Sequence, residues 1–384
     1  MSAWLLPDHI ADVLPSEARH IEDLRRDLLD VARRHGYELV IPPMVEHLQA
    51  LLTGAGTERA LDTFQLVDQL SGKTLGVRPD ITPQVARIDA HLLNRQGVTR
   101  LCYCGPVLHT RVQRARASRE PLQLGAEIYG HAGLEADLEA LDLAQAFMGE
   151  AGLQGVRFDL GDARIFPAIL SQSGLEAKAQ AELREAVACK SLPTAVPSAG
   201  RLSQPVQSAL AFLVQAYGDI QLLDEAEQAL AGFPQALAAI QDLRWLAGHL
   251  GHLPLSFDLA DMSGYAYYTG VRFAAYTPGC SDAVLRGGRY DEVGAAFGRK
   301  RPAVGFSLDL KTWVQHVPAL PLGAAIRAPW SEDTELRSVI ARLREQGHTV
   351  VCVLPGHESE VDEFDCDREL IRVNDRWVVQ SLSI

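Results

Sequence analysis

The stretch Leu285–Trp313, LRGGRYDEVGAAFGRKRPAVGFSLDLKTW, decides how the rest of the chain is interpreted. It places a Gly-Gly-Arg-Tyr-Asp turn ahead of an apolar run that ends in Asp-Leu-Lys-Thr. The residues 281–288, SDAVLRGG, which overlap the beginning of this stretch, are typical of a short strand. The apolar run predicts a helix that begins near Pro302 or Val304 and closes the module near Val317.

Segments typical of β-strands lie on the N-terminal side of this stretch. LPLSFDLADMSGYAYYTGVRFAAYTPG predicts strands, and TRLCYCGPVLHTR with EPLQLGAEIYG predicts two more around a polar loop. A hairpin is predicted to turn at Ser71-Gly72. A helix is predicted from about Glu17 to His35, with Ser16 as its N-cap and Gly36 just past its end. The first third of the chain is therefore expected to form one antiparallel system with flanking helices.

The order of these elements predicts an α+β fold in two parts. Residues 1–317 are expected to form the core around a mostly antiparallel sheet, with an Ala- and Leu-rich helical insertion at about 135–251. Residues 318–384 are expected to form a small C-terminal α/β domain. Its predicted elements are a strand at GAAIRAP, a helix from Ser331 to about Gln346, a strand at TVVCVLPG and a final pair near ELIRVNDRWVVQSL.

Composition narrows the classes of function. The formal net charge of −13 disfavours an extended nucleic-acid surface, because phosphate contacts need clustered Lys and Arg. No apolar run approaches the length that a bilayer requires, and the beginning of the sequence is not typical of a signal peptide, so we expect a cytoplasmic protein without membrane contact. The six cysteines are scattered without a CxxC pair, which predicts neither disulfides nor a metal site.

Five segments, taken in order and spacing, resemble the class II aminoacyl-tRNA synthetase core of the histidine-specific type over Leu5–Val317. They are HGYELVIPPMVE, LGVRPDITPQVAR, CGPVLHTR with LQLGAEIYG, GYAYYTG, and RGGRYDEV followed by PAVGFSLDL. The resemblance implies a six- or seven-stranded antiparallel sheet with flanking helices. It also implies a dimer formed near Pro43.

An enzyme that activates an amino acid with ATP must neutralise the charge of the triphosphate, and arginines suit that task because they are always charged and bind oxygens in pairs. The resemblance places such arginines at three positions, which in this chain are His109, Ser263 and Thr312. Lys311 stands beside the last in place of the usual acid. The loop arginines either replace some of that charge or form a solvated face, and we favour the solvated face; they are Arg111, Arg114, Arg116 and Arg119.

On the amino-acid side of the site the chain keeps the Arg-Pro-acid-x-Thr segment that the resemblance implies, with aspartate in place of the usual glutamate. An ammonium group of a substrate binds best to a carboxylate, and Asp80 in Arg-Pro-Asp-Ile-Thr supplies one. Gln123 and Glu127 lie four apart and so face one side of a strand. The resemblance implies that seven residues bind histidine: Asp80, Thr82, Gln123, Glu127, Tyr267, Tyr268 and Tyr290. With Ser263 at the arginine position, a backbone donor and Arg111 are both candidates for the ligand's carboxylate.

The C-terminal part, about 65 residues long, is shorter than the anticodon-binding domain of a histidyl-tRNA synthetase and has no basic face. This short C-terminal part and the replacement of three arginines make the whole chain resemble the non-catalytic synthetase paralogues that regulate ATP phosphoribosyltransferase. The resemblance implies no catalytic residues and no cofactor. It also implies assembly with the short catalytic subunit as a hetero-octamer, four of each, and feedback inhibition by L-histidine. The alternatives are an active histidine-activating enzyme and a module that senses uncharged tRNA.

Overall fold

The computed structural model describes residues 5–53, 61–112, 118–191, 200, 202–264, 267–318, 321, 323–357 and 364–382. The chain divides into two compact units. The first comprises Met1–Asp12 with Ile21–Pro318, and the second comprises Val13–His20 with Ala319–Ile384.

The strands are numbered along the chain. They are β1 (Glu38–Leu39), β2 (Val45–His47), β3 (Gln65–Val67), β4 (Thr74–Val77), β5 (Thr99–Pro106), β6 (Leu122–Tyr129), β7 (Arg157–Asp162), β8 (Tyr217–Gly218), β9 (Leu255–Asp258), β10 (Val271–Tyr276), β11 (Leu285–Arg289), β12 (Ala303–Asp309), β13 (Ala324–Pro329), β14 (Val350–Val353), β15 (Asp365–Val373) and β16 (Arg376–Ser381).

The helices are numbered in the same way. They are α1 (Pro15–Arg34), α2 (Leu48–Leu52), α3 (Thr82–Arg87, continued by a π-helical segment Ile88–Leu93), α4 (Leu134–Ala151), α5 (Ile165–Leu170), α6 (Ala177–Ala188), α7 (Gln204–Gln215), α8 (Gln221–Ala229), α9 (Pro234–His249), α10 (Leu310–Trp313) and α11 (Thr334–Glu345). A 3₁₀ turn spans Val293–Phe297.

A nine-stranded sheet forms the centre of the first unit, in the order β1-β5-β6-β12-β11-β10-β7-β9-β8. Every neighbouring pair from β5 to β7 is antiparallel, whereas β1 runs parallel to β5 and β9 runs parallel to β7. The mostly antiparallel sheet expected from the sequence is confirmed. Its antiparallel run has the expected six strands, and the sheet as a whole has nine.

The helix predicted from Pro302 or Val304 is wrong, because Ala303–Asp309 is strand β12. Val304, Phe306 and Leu308 point into the core, while Gly305 and Ser307 alternate with them toward the other face. Because the residues that alternate with them are small and uncharged, the segment resembles a continuous apolar run, which periodicity alone cannot distinguish from a buried helix. The helix that follows, α10, has only four residues.

Two further predictions for the first unit need correction. The first third of the chain contributes to two sheets, because β2, β4 and β3 form a separate three-stranded sheet. The hairpin at Ser71-Gly72 is confirmed within that small sheet, between β3 and β4. Helix α1 begins at Pro15, so Ser16 is inside the helix and is not its N-cap, whereas Gly36 follows its end with φ +84° as expected.

The stretch 135–251, predicted as a helical insertion, also contains part of the central sheet. Strand β7 pairs with β10 and β9, and α4 packs against β6 and β12. The helices from α5 to α9 make up the remainder. The sequence reading missed β7 because its six residues lie between long Ala- and Leu-rich helical segments, which dominate the local pattern.

The second unit contains a four-stranded sheet in the order β14-β13-β15-β16, with α11 against one face. All the elements predicted there from sequence are present. The β15–β16 hairpin turns at Asn374 and Asp375, whose φ angles of +48° and +59° are those that a two-residue hairpin turn requires.

Across the described residues, no helix combines the length and apolar character needed to cross a membrane. The same residues contain no cluster of three or more His, Cys, Asp or Glu side chains suited to a metal ion.

Candidate functional site

One face of the central sheet forms the floor of a cavity of about 550 Å³, called here the first cavity. The strand register aligns Glu127, Gly305, Gly288 and Arg272 in one row across β6, β12, β11 and β10. Neighbouring strands lie about 4.8 Å apart, so the ends of the row are about 14 Å apart. A Cβ atom at Gly305 would overlap the Glu127 carboxylate. The glycines therefore leave an open floor between an acid at one end and a guanidinium at the other.

Glu127 is the most deeply buried acid of this cavity, with 1% of its surface exposed. The Tyr103 hydroxyl donates to its Oε1 at 3.0 Å, and the Tyr290 hydroxyl donates to its Oε2. Tyr103 also exchanges a hydrogen bond with the Thr82 hydroxyl at 2.9 Å. Burial raises the pKa of Glu127 to about 8, although the hydrogen bonds from the two tyrosines act in the opposite direction. The two tyrosines and Thr82 hold the Glu127 carboxyl group in one position, and its burial favours the protonated form.

Asp80 is held at the beginning of α3 by its neighbours. The Thr82 backbone N–H donates to Oδ1 at 3.0 Å, and Gln123 Nε2 donates to the same oxygen at 2.9 Å. The Oε1 atom of Gln123 accepts the Ile81 N–H at 2.9 Å, which fixes the orientation of the amide. Gln123 therefore positions Asp80 from behind.

Three tyrosines pack against one another at the first cavity. The rings of Tyr267 and Tyr290 are stacked, with centroids 5.0 Å apart, and Tyr268 meets Tyr267 edge-on at 5.2 Å. Burial raises the pKa of Tyr268 to about 12. These rings give the cavity flat apolar walls with hydroxyl groups, an environment that suits a planar ring with polar atoms.

The structure brings six of the seven predicted histidine-binding residues to the lining of the first cavity: Asp80, Thr82, Glu127, Tyr267, Tyr268 and Tyr290. Gln123 lies behind Asp80 and lines a neighbouring cavity instead. Ser263 also lines the first cavity. That these residues bind histidine stays a prediction.

Sequence reasoning missed Arg272 and Arg286, which both line the first cavity. Arg272 is 4% exposed, and its guanidinium donates to the backbone carbonyls of Asp261 and Ser263. Arg286 Nη2 donates to Asp282 at 2.9 Å. The signal for Arg272 was a charged residue inside the otherwise apolar strand VRFAAY, because a guanidinium is rarely buried without a purpose. Arg286 stands in LRGGR, which already contains a second arginine, so its strand offered no such signal.

A second cavity of about 930 Å³ adjoins the first, with Asp80, Arg286 and Ser307 in both linings. It contains the other two positions at which the sequence comparison expected arginines, His109 and Thr312. Their polar atoms bind the protein itself. His109 Nε2 lies 2.9 Å from the Pro79 carbonyl, and the Thr312 hydroxyl donates to Asp309 at 2.8 Å.

The loop arginines do not supply the absent charge in the described residues. Arg111 pairs with Asp62 at 2.7 Å on the surface and lines neither cavity. Arg119 donates to the His109 carbonyl at 3.0 Å and lies over the Phe64 ring. Arg114 and Arg116 lie outside the described residues. Arg111 is therefore not placed to bind the carboxylate of a ligand in the first cavity.

Two family sequence models match the chain. One described as histidyl-tRNA synthetase matches residues 9–313, and one described as the ATP phosphoribosyltransferase subunit HisZ C-terminal domain matches residues 323–380. Among curated proteins, the ATP phosphoribosyltransferase regulatory subunit of Albidiferax ferrireducens is 60% identical over 100% of both chains. The protein of the same name from Burkholderia thailandensis is 52% identical over 99% of this chain and 100% of that protein.

Solved structures share the fold. A protein from Bacillus halodurans described as an ATP phosphoribosyltransferase regulatory subunit/histidyl-tRNA synthetase superposes with a TM-score of 0.81 at 24% identity, over 94% of this chain and 96% of that one. Histidyl-tRNA synthetase from Nostoc sp. PCC 7120 superposes with a TM-score of 0.80 at 16% identity, over 99% and 97%. The fold is therefore α+β and class II synthetase-like, as the sequence predicted.

Proposed function

Because the chain belongs to the ATP phosphoribosyltransferase regulatory subunit family, we propose that it has no catalytic activity of its own, is required for full activity of the short-form catalytic subunit, and transmits feedback inhibition by L-histidine. Its role is regulatory and lies in the first step of histidine biosynthesis. The first cavity is the proposed histidine site.

The polarity of the first cavity carries this proposal. Asp80 offers a carboxylate to an α-ammonium group, and Glu127 with its tyrosines offers a buried proton acceptor or donor to an imidazole. The stacked rings of Tyr267 and Tyr290 supply walls for a flat ring. A small zwitterion with an aromatic side chain that bears a proton is the ligand that these groups complement together.

The state of the second cavity supports the absence of catalysis. A triphosphate site needs permanent positive charge directed at the ligand. His109 and Thr312 are instead bonded to the protein, and Lys311 pairs with Glu120 at 3.1 Å. We therefore interpret His109, Ser263 and Thr312 as replacements of phosphate-binding arginines.

We further propose a dimer of this chain through the core and a cytoplasmic hetero-octamer with the catalytic subunit, four copies of each. Apolar side chains beside Pro43 favour self-association there, since Ile41 is 80% exposed and Leu39 is 48% exposed. The hetero-octamer rests on the family resemblance. Light scattering of the chain alone and with the catalytic subunit measures both assemblies.

The decisive experiment combines the purified chain with a short-form catalytic subunit and follows phosphoribosyltransferase activity. We expect the chain to raise activity and histidine to inhibit the complex. Glu127→Gln keeps the side-chain volume but cannot exchange a proton with an imidazole, and should weaken histidine binding by about 10- to 100-fold while activation is kept. If this variant loses both the activation of the catalytic subunit and the inhibition by histidine, Glu127 serves the assembly and not the effector site.

Two measurements test the alternative functions. Histidine-dependent exchange between ATP and pyrophosphate, at the rate of a true synthetase, would overturn the non-catalytic role. Tight binding of uncharged tRNA at moderate salt would favour a tRNA sensor; the net charge of −13 predicts weak association only.

A further inference from the structure

The histidine site as predicted from sequence has no group for the ligand's α-carboxylate, and two arginines from the sheet reach the first cavity. We propose that Arg286 binds this carboxylate and that Arg272 positions the loop beside it. The inference rests on the proposed function, since it names a contact within the proposed histidine site. It replaces the earlier candidates, a backbone donor and Arg111.

Arg272 is already committed to the protein. Its two terminal nitrogens donate to the carbonyls of Asp261 and Ser263, the latter at 3.0 Å, and its charge faces the Asp261 carboxylate at 3.5 Å. These bonds hold the segment that precedes Gly264, and the tyrosines of the cavity follow directly in the chain. Arg272 is therefore a positioning residue that acts through this loop.

Arg286 is available to a ligand. Its side chain is 31% exposed and lines both cavities, so a molecule in either one can reach it. Nη2 donates to Asp282, and Tyr276 lies against the same side chain. Within the described residues its buried Nε–H has no acceptor; the same is true of Arg272 Nε, but both terminal nitrogens of Arg272 are bonded to backbone carbonyls. An unsatisfied buried donor on a charged group is unfavourable, and a carboxylate that draws the guanidinium toward the cavity relieves this cost.

The position of Arg286 also fits the shape of an α-amino acid. The ammonium and carboxylate share one carbon atom, so their receptors must be neighbours. Asp80, Ser307 and Arg286 all lie on the wall common to the two cavities. Gly125, Ser307 and Arg286 form the row of the sheet next to the Glu127 row. An α-carbon at this wall places the ammonium by Asp80, the carboxylate by Arg286 and the side chain toward Glu127.

The test is calorimetry on the full-length chain assembled with the catalytic subunit, with two probes. L-Histidine carries the carboxylate, and L-histidinol has a hydroxymethyl group in its place. We expect the unchanged protein to prefer histidine. Arg286→Gln should lose about 10- to 100-fold in histidine affinity with histidinol affinity unchanged, because a charge-assisted pair is removed from one ligand only. Arg286→Lys should fall between the two proteins for histidine.

Arg272→Gln is the matched contrast. It should weaken both ligands to the same degree, because a displaced loop disturbs the whole cavity. If Arg286→Gln keeps the preference for histidine, or weakens both ligands equally with an unchanged melting temperature, the assignment is wrong. The proposed function fails in a different way, since the unchanged complex would then bind neither probe.

Discussion

The two cavities share a wall, yet their polar groups are arranged in opposite ways. In the first cavity Asp80, Glu127 and the three tyrosines line open space above a floor of glycines, and hydrogen bonds to neighbouring side chains hold the two acids there. In the second cavity the hydroxyl of Thr312 is bonded to Asp309, and the ring of His109 to a backbone carbonyl. The first cavity therefore presents two acids to its interior, whereas the groups at the two expected arginine positions of the second present no permanent positive charge.

On the proposed function, this difference explains how a fold shared with synthetases serves as a sensor. Histidine regulates an assembly only if it binds two states of that assembly with different affinity, and this requires a preformed pocket but no chemistry. The sheet that supports the pocket must stay rigid, because side chains displaced by about 1 Å no longer meet the ligand. The proposed sensor does not need the charged groups of a triphosphate site, so these can be replaced without loss of histidine binding.

The largest expected effect concerns the support beneath the first cavity. Arg289 is the last residue of β11, directly before Tyr290, and donates to the buried carboxylate of Asp137 and to the carbonyls of His131 and Gly133. Asp137→Ala leaves this buried guanidinium with only the more distant carboxylate of Asp291, 3.5 Å away, so we expect the free energy of unfolding to fall by about 3–5 kcal/mol. Urea denaturation followed by circular dichroism measures the change.

An exposed ion pair supplies the control for that experiment. Glu150 binds Arg34 at 2.9 Å on the surface, and Glu150→Ala should cost less than about 1 kcal/mol. Equal losses in the two variants would show that the Asp137 pair contributes no more than a solvated one. The first cavity would then lack the buried charged support that distinguishes it here.

The second effect is a dependence of stability on pH that arises from the first cavity. Glu127 in the unfolded chain loses its proton near the ordinary value of 4.5, but the buried group keeps it until its pKa of about 8. Between these values the folded state binds more protons than the unfolded state. Stability in the absence of histidine should therefore fall as pH rises from about 5 to 8, by at most about 1.4 kcal/mol per pH unit.

Melting temperatures measured across this pH range without ligand provide the check. Glu127→Gln cannot titrate and should remove the Glu127 share of the slope, so the difference between the two proteins should grow as pH rises. Parallel curves for the two proteins would mean that Glu127 is already ionised in the folded state at neutral pH. The burial of Glu127 in the first cavity would then have no effect on its charge at neutral pH.

Much of the fold could be predicted from sequence because its signals are local. The hairpin at Gly72 and the turn at Asn374 each need a backbone with positive φ, which few residues adopt. Glycine and asparagine are among those residues, so the sequence indicates both turns. Strand β12 was misread because AVGFSL alternates large apolar residues with small residues, and not with charged ones. Only its pairing between β6 and β11 distinguishes it from a helix.

The candidate site divides in the same way. Asp80, Glu127 and the tyrosines were found because they stand in segments with a recognisable order. Arg272 and Arg286 were missed because their significance depends on register: Arg272 reaches the cavity only because Gly288 and Gly305 separate it from Glu127 across three strand spacings. Arg111 illustrates the reverse error, since proximity in sequence to His109 did not bring it to either cavity.

The smallest expected effect separates the cavities most directly. Thr312→Val removes the hydroxyl that binds Asp309 and keeps the side-chain shape, while the backbone N–H groups of Leu122 and Lys311 still donate to that carboxylate. Histidine affinity, measured by calorimetry, should change by less than about twofold, because no group of the first cavity moves. A loss as large as that expected for Glu127→Gln would mean that the ligand extends across the shared wall into the second cavity. In that case the second cavity belongs to the sensor, and the groups around Thr312 have been kept for binding.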